Sequence, residues 1–395
     1  VEAATHGATG QPGFDDRAIA LSAGSRRIFQ AMGLWDTLAP ATTPIERIHI
    51  SHRGHFGMTR LAAAEEGVPA LGYVAEARMI GGALTEALAQ LPRAELLCPA
   101  RLQDVRLGAE KARLTIEQEG VSREVTARLV VAADGGSSMT RALVGAKTFR
   151  SGYGQTAVVA NVIGDRPHGG LAYERFTADG PVALLPFSVS EHAAVEELPR
   201  RWGLVWTVRE TKADSVLAMD DDQFLAALQD HFGHRAGTFL TVGPRSAYPL
   251  ALQFVRDQVR SRLVLIGNAA HTVHPVAGQG FNLGLRDVAA LAEVLAGASK
   301  RGADPGSLRT LKDYFRWRAP DYARVLGLTD GLVRLFSNDF APLAALRGFG
   351  MTGLDLLPFA RHRFARETMG LAGPLHRLAR GIPLAWDGPR EETHE

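Results

Sequence analysis

"LVLIGNAAHTVHPVAGQGFNLGLRD", residues 263–287, is an apolar run, then a loop crowded with Gly, His and Pro, then the start of a helical pattern. Gly278 and Gly280 remove side chains where a backbone must approach a ligand closely. The helix beginning near Phe281 aims its free amides at that ligand. A helix start carries about half a positive charge, so the ligand is expected to hold or develop negative charge there. Nucleotide-binding chains usually place such a turn first, whereas here it lies two thirds of the way along.

The totals narrow the setting. The chain has 395 residues, 46% hydrophobic and 22% charged, enough for a large core and for two domains. Lys plus Arg number 44 against 42 Asp plus Glu, a balance that excludes a general nucleic-acid binder and points to a small-molecule or membrane-borne partner. The single cysteine, Cys98, excludes an internal disulfide and a cysteine-rich metal site, and reads as a small buried hydrophobe. No apolar stretch reaches the roughly 18 residues of a membrane span.

Outward from the glycine turn, "RLVLIGNAAH" predicts a fully apolar strand and "NLGLRDVAALAEVLAGAS" a helix. At the other end of the chain, Glu2 follows what reads as the end of an apolar strand. A Gly/Pro/Asp loop then leads into a helical segment expected to bury Ile19, Ile28, Phe29 and Met32. "RIHISHRGHFGMTRLAA" predicts a hairpin and "RMIGGALTEALAQL" a helix. Short strands follow and close on "RLVVAADG", expected to be covered on both faces. From about 152 to 250, alternating, aromatic-rich segments predict an antiparallel sheet. The last portion is expected to be helical, broken at Pro320, Pro342, Pro358 and Pro374.

Two other stretches bear on chemistry. "VVAADGGSSMTR" ends a strand in Asp134 and Gly135, followed by Ser138 and Arg141; Asp-Gly after a strand also fits a plain tight turn. An acidic residue at the tip of a second strand, as Glu2 would be, accepts hydrogen bonds from the adenosine ribose in dinucleotide folds. The negative charge awaited at the glycine turn fits a reduced flavin, whose pyrimidine edge becomes anionic on accepting hydride. His271 and His274 have no acidic or cysteine partner at metal spacing and read as structural, while His52 and His55 read as turn or surface residues.

Together these stretches resemble the flavoprotein aromatic hydroxylases, single-component FAD monooxygenases of the para-hydroxybenzoate hydroxylase type. "DGGSSMTR" is similar to that family's DGxxSxxR signature and "GNAAHTVHPVAGQGFNLGLRD" to its GDAAHxxxPxxGxGxNxxxxD signature. "PGFDDRAIALSAGS", "ERFTADGPVALLPF" and "RSAYPLAL" further resemble the ubiquinone-biosynthesis hydroxylases, above all the 2-octaprenyl-6-methoxyphenol hydroxylase group. The likeness runs from residue 1 to about 370. It implies an α/β fold: an FAD-binding Rossmann-like domain from 1–150 and 256–300, an inserted antiparallel-sheet substrate domain over 151–255, and a helical region over 301–395. A substrate-side hairpin is expected near 45–75.

The resemblance also accounts for the position of the glycine turn. In that family it is the second flavin contact, and a GxGxxG phosphate loop is the first. A strand, loop and helix of roughly 30 residues are therefore expected to precede residue 1. Position by position, Glu2 would bind the adenosine ribose and Arg17 the pyrophosphate or flavin edge. Asp134 would serve both FAD and pyridine nucleotide. Gly267, Asn268, Pro275, Gly278, Gly280 and Asn282 would line the ribityl and ring site. Asn268 stands where the family carries Asp, and its amide oxygen can still accept a hydroxyl hydrogen bond.

The implied chemistry has NAD(P)H reduce FAD, O2 add at the flavin C4a carbon, and the hydroperoxide hydroxylate a polyprenylated phenol. No catalytic base and no metal are assigned. "ALLPF" and "LVWTV" serve either as apolar substrate walls or as core strands. The basic, apolar tail serves either a peripheral contact with the inner membrane from the cytoplasmic side or packing on the flavin domain. A quinone-biosynthesis protein complex is a further expected partner. A non-catalytic scaffold in such a complex and an FAD-dependent isoprenoid reductase are the competing readings.

Overall fold

The computed structural model describes residues 1–5, 17–188, 197–336 and 341–384. The Gly/Pro/Asp loop expected between 6 and 16 lies outside the described residues.

Strand β1 (Ala18–Ser22) runs into α1 (Ala23–Ala31), which Ser22 caps by accepting from the Ser25 amide. Ile28 and Phe29 are buried, as their spacing requires. Two neighbours differ from expectation: Ile19 belongs to β1, and Met32 is 40% exposed. The helix starts only after the Ser22 cap and stops at Ala31, so neither residue joins its apolar stripe. Then come α2 (Trp35–Leu38) and β2 (Thr42–Ile45). The expected hairpin is β3 (Arg47–His52) with β4 (Met58–Ala62), an antiparallel pair. β5 (Gly72–Glu76) pairs antiparallel with both β1 and β2 in a three-stranded sheet.

The glycine-paired helix is α3 (Ala77–Ala89). An antiparallel meander of β6 (Arg101–Leu107), β7 (Ala112–Gln118) and β8 (Val121–Ala127) precedes β9 (Val130–Ala132). Val131 of β9 is 42% exposed, so this strand is not covered on both faces. It stands at the edge of its sheet, where one side lacks a neighbouring strand among the described residues.

After α4 (Met139–Leu143) the chain enters its largest sheet through β10 (Thr148–Gly164), β11 (Leu171–Thr177), β12 (Gly180–Pro186) and β13 (Arg201–Arg209). Two helices interrupt it, α5 (Glu210–Leu217) and α6 (Asp221–Phe232). Neither is in the sequence reading, although Asp220 and Gln223 form a capping box at the start of α6, a signal present in the sequence. β14 (Phe239–Val242) and β15 (Ser246–Val255) complete the segment. β16 (Val259–Arg260) and the buried β17 (Leu263–Leu265) form a small sheet with β9, the β17–β9 pair being parallel. β18 (His271–Thr272) returns to the large sheet.

The order of that sheet is β18-β15-β10-β13-β12-β11-β3-β4, with β14 paired to β10. Hairpin β3–β4 joins it through a parallel β3–β11 pair, so the sheet is mixed, and strands that precede β10 and follow β15 complete it. Its outer face carries Val182, Leu184, Trp202, Leu204 and Trp206, buried under Val216, Phe224 and Phe232 of α5 and α6.

The remainder is helical: α7 (Gln279–Lys300), α8 (Leu308–Phe336), α9 (Ala341–Leu356) and α10 (Pro358–Thr368). Pro358 opens α10, where a missing amide costs nothing. Pro320 does not break the chain as expected, because α8 runs through it. Arg318 and Tyr322 on either side are both bonded to Asp287 of α7, a grip that outweighs the roughly 3 kcal/mol an internal proline costs.

Candidate functional site

One cavity of about 1200 Å³ lies between β1, the glycine turn and α7 on one side and the inner face of the large sheet on the other. Ordinary ligand pockets run to about 300–1,000 Å³, so this one has room for a cofactor and a substrate. Seven of the nine expected binding residues line it: Arg17, Gly267, Asn268, Pro275, Gly278, Gly280 and Asn282.

The glycine turn is built as its sequence suggests, with a division of labour. Gly278 adopts φ +60°, and a Cβ there would stand 3.0 Å from the Cβ of Ala20, so strain and space both require glycine. Gly280 has an ordinary φ, and a Cβ would meet nothing closer than Val273 at 3.8 Å. The surrounding protein thus leaves room for a side chain here, and the position lines the cavity. Gly278 is the N-cap of α7 and no side chain caps this helix, which leaves its first-turn amides for a partner in the cavity.

Asn282 is 3% exposed and fully bonded to the protein. Its Oδ1 accepts from the Ser22 amide at 2.8 Å and from the Ser25 hydroxyl at 2.6 Å, and its Nδ2 donates to the carbonyls of Ala20 at 2.8 Å and Gly278 at 2.7 Å. Asn282 thus fastens the end of β1 to the glycine turn and shapes the site through these two segments.

Asp287, which closes the glycine motif, is completely buried. Its carboxylate accepts from the Gly267 amide at 2.9 Å, His271 Nε2 at 2.7 Å, Arg318 Nε at 2.8 Å and the Tyr322 hydroxyl at 2.7 Å. Burial alone would raise this carboxyl, but the His271 and Arg318 charges beside it and the bonds it accepts hold it far below the usual range. Arg318 also pairs with Asp321. In the sequence Asp287 stands out only as the last letter of the glycine motif, and Arg318 and Tyr322 carry no local signal at all.

The second motif is a connector. Asp134 is exposed and lies outside the cavity lining, although Ala133 and Gly135 belong to it. Its carboxylate accepts from the Ser138 hydroxyl and, at 2.9 and 2.8 Å, from the Thr140 amide and hydroxyl, while Ser138 caps α4 through the Arg141 amide. Arg141 then donates to the Ala269 carbonyl at 3.0 Å and joins this turn to the glycine turn. Glu2 also lies outside the lining: its amide donates to the Leu97 carbonyl at 2.9 Å, and its carboxylate accepts from the Ala4 amide. Arg17 lies over the Tyr248 ring at 5.0 Å, bridging β1 to the large sheet.

His274 is fully buried, accepts from the Val276 amide through Nδ1, and is pushed down to about 4 by desolvation. His271 is an anchor for Asp287, and no cluster able to hold a metal ion occurs among the described residues.

The substrate side is apolar. Ala183, Leu185 and Val205 face the cavity, while Leu184, Leu204 and Trp206 face the outer core, so strand alternation makes "ALLPF" and "LVWTV" wall and core at once. Ile48, Ile50, Phe336, Met351, Leu354 and Phe364 continue the wall. The tail packs as well: Ala365 and Met369 are buried against Leu61 and Leu71.

Residues 6–325 match the FAD binding domain family. The chain is 40% identical to the ubiquinone hydroxylase UbiL of Rhodospirillum rubrum, over 94% of this chain and 84% of that protein. It is 31% identical to the 3-demethoxyubiquinol 3-hydroxylase of Escherichia coli, over 90% and 88%. In solved structures the fold is similar to the p-nitrophenol 4-monooxygenase PnpA of Pseudomonas putida, with a TM-score of 0.73 at 17% identity over 94% of this chain and 91% of that one. With these likenesses, the chain belongs to the FAD-binding flavoprotein aromatic hydroxylases and, among them, to the ubiquinone hydroxylases.

Proposed function

We propose that this FAD-dependent monooxygenase hydroxylates the ring of a polyprenylated phenol in ubiquinone biosynthesis, with NAD(P)H and O2 as co-substrates. The observation that carries the reading is a single cavity whose one wall is a glycine-rich helix start and whose other is almost wholly aliphatic and aromatic. The relatives named for ubiquinone hydroxylation support the substrate class.

When bound, FAD supplies the chemistry, taking hydride from NAD(P)H and passing one oxygen atom of O2 to the ring. The protein's part is positional. Gly278, Gly280 and the first amides of α7 would hold the electron-rich edge of the ring system, with Gly267, Asn268 and Pro275 along the ribityl chain. Asn282 and Asp134 would act through the segments they fasten, Arg17 beside the pyrophosphate or flavin edge, and Glu2 at the adenosine ribose. The apolar wall keeps water from the reacting atoms. Purified protein supplied with FAD, NAD(P)H, labelled O2 and a demethoxyubiquinol analogue is expected to give product carrying one labelled oxygen. A yellow protein that makes no hydroxylated product would overturn the reading.

A peripheral membrane contact is the second part of the proposal. Phe349 and Leu356 of α9, Leu357 between the helices and Phe359 of α10 are 66%, 70%, 60% and 81% exposed, while Met351, Leu354 and Phe364 of the two helices line the cavity. A polyprenyl tail could pass from one face to the other, and exposed Arg363 suits anionic lipid headgroups. No described helix is long and apolar enough to cross a membrane. Replacing Leu356, Leu357 and Phe359 with Ser is expected to abolish flotation with anionic liposomes, and unchanged flotation would remove the contact from this corner.

A further inference from the structure

We infer that a tetrahedral oxyanion, phosphate or a phosphoryl group, binds in a second pocket between α7, α8 and the stretch after α10, an assignment independent of the hydroxylase reading. This pocket shares no lining residue with the large cavity. It measures about 220 Å³, below the roughly 300 Å³ at which ordinary ligand pockets begin, which suits an ion. Arg286 of α7 and Arg316, Arg318 and Arg324 of α8 line it, against one carboxylate, Asp321.

The charges there do not balance. Asp321 serves three guanidiniums: Arg318, Arg286 Nε at 3.4 Å and Arg324 Nη2 at 3.4 Å. Arg318 has Asp287 as a second partner, Arg324 has Glu367 at 3.8 Å, and the exposed Arg316 pairs with Asp313. Arg286 is 7% exposed, and the contact with Asp321 is its one ion pair among the described residues. Its Nε and Nη2 are buried without a hydrogen-bond partner among those residues. Burial comes first in lowering its pKa, and the Arg318 and Arg324 charges add to this against the pull of Asp321 and Asp287. A buried guanidinium short of counter-charge is costly, and an anion beside it offsets that cost.

Donors reach the pocket from three segments. Arg324 Nε and His376 Nδ1 are also buried without a hydrogen-bond partner among the described residues. His376 is 4% exposed, its ring lies 3.9 Å from that of Trp317, and burial pushes it down to about 4, so near neutral pH it is uncharged and can donate one ring N–H. A Cβ on Gly373 would stand 2.5 Å from Arg324 Nη1, so the stretch that carries His376 stays bare where the guanidinium lies against it. Guanidinium forks match phosphate oxygens. A carboxylate lies in one plane, whereas a tetrahedral oxyanion presents acceptors on every side, as donors from α7, α8 and the stretch after α10 require.

The test uses the full chain loaded with FAD, melted and titrated by calorimetry in phosphate and in chloride of equal ionic strength. With phosphate about 20-fold above its Kd, wild type is expected to melt about 2 °C higher than in chloride. Arg286→Met removes a charge short of partners, so it should melt no lower than wild type in chloride and should lose the phosphate shift. Arg324→Gln should weaken phosphate about tenfold. No shift in wild type would overturn the site, as would a shift that persists in Arg286→Met, or an Arg286→Met variant that melts lower by the same amount in both salts. A shift with acetate and none with phosphate would overturn the tetrahedral class. Given a phosphate shift, NADP+ and NAD+ separate its sources. Equal NADP+ binding by wild type and Arg286→Met assigns the free ion, and weaker NADP+ with unchanged NAD+ in the variant assigns the 2′-phosphate. Selenate-soaked crystals of wild type need no variant to fold: an anomalous peak is expected between Arg286, Arg324 and His376, and its absence would also overturn the site.

Discussion

The amide of Gly267 donates a hydrogen bond to the carboxylate of Asp287 across 2.9 Å, so the residue that turns the chain beside the cavity is held from the body of α7. The same carboxylate holds His271, Arg318 and Tyr322, which ties the glycine turn to α8. Replacing Asp287 with Ala leaves a buried guanidinium without its main counter-charge, and breaking such a pair costs about 3–5 kcal/mol. Glycine-turn geometry and stability should fail together. The expected result is a fall in Tm and a loss of FAD; a variant with normal Tm and full FAD would refute the anchoring role.

The two glycines separate fold from ligand. Gly278→Ala forces a left-handed backbone on alanine and sets a Cβ 3.0 Å from that of Ala20, so stability itself should drop. Gly280→Ala meets nothing closer than 3.8 Å, and alanine is the better helix former by about 1 kcal/mol. Gly280→Ala should therefore keep or raise the Tm of the FAD-free protein while weakening FAD about tenfold, the scale of one added methyl in a tight site. Thermal melts beside FAD titrations decide; equal FAD affinity would show that the cofactor does not approach Gly280.

Asn282 has both ends of its amide committed, so substitutions should separate by chemistry. Asn282→Ala strands the Ser22 amide and the Ala20 and Gly278 carbonyls, at about 1–3 kcal/mol for each group left unpaired. Asn282→Asp can still accept from Ser22 and Ser25 but turns a carboxylate oxygen toward two carbonyls. Denaturant unfolding should rank both below wild type, and an aspartate variant as stable as wild type would contradict the bonding described here.

Three buried histidines set an acid limit. Desolvation comes first among the causes that push His52, His274 and His376 down to about 4, against 6.5 when unfolded. Between those values the unfolded chain binds more protons than the folded one, so stability is fully present above pH 6.5 and is lost as pH falls toward 4. For His274, which is 0% exposed, this amounts to about 3 kcal/mol over the window. Tm measured at pH 7.5 and pH 5 should fall for wild type and fall less for His274→Phe; equal decrements would remove His274 as a contributor.

Much of the site was legible in the residues. Gly278 sits at a strand-to-helix turn with a backbone that favours glycine, whereas residues 183–187 left wall and core as open alternatives until the sheet gave each its face. The sequence pattern also determined the hairpin, the long helix after the glycine turn and the family. What it did not determine depends on partners remote along the chain. Asn282 read as a ligand contact because nothing nearby reveals that Ser22, Ser25 and Ala20 consume its amide. Pro320 read as a helix break because local propensity does not include Arg318 and Tyr322 bonding to Asp287. Periodicity and backbone preference are local energies and can be read in order along a chain, whereas burial, pairing and charge compensation are sums over neighbours that only the folded chain brings together.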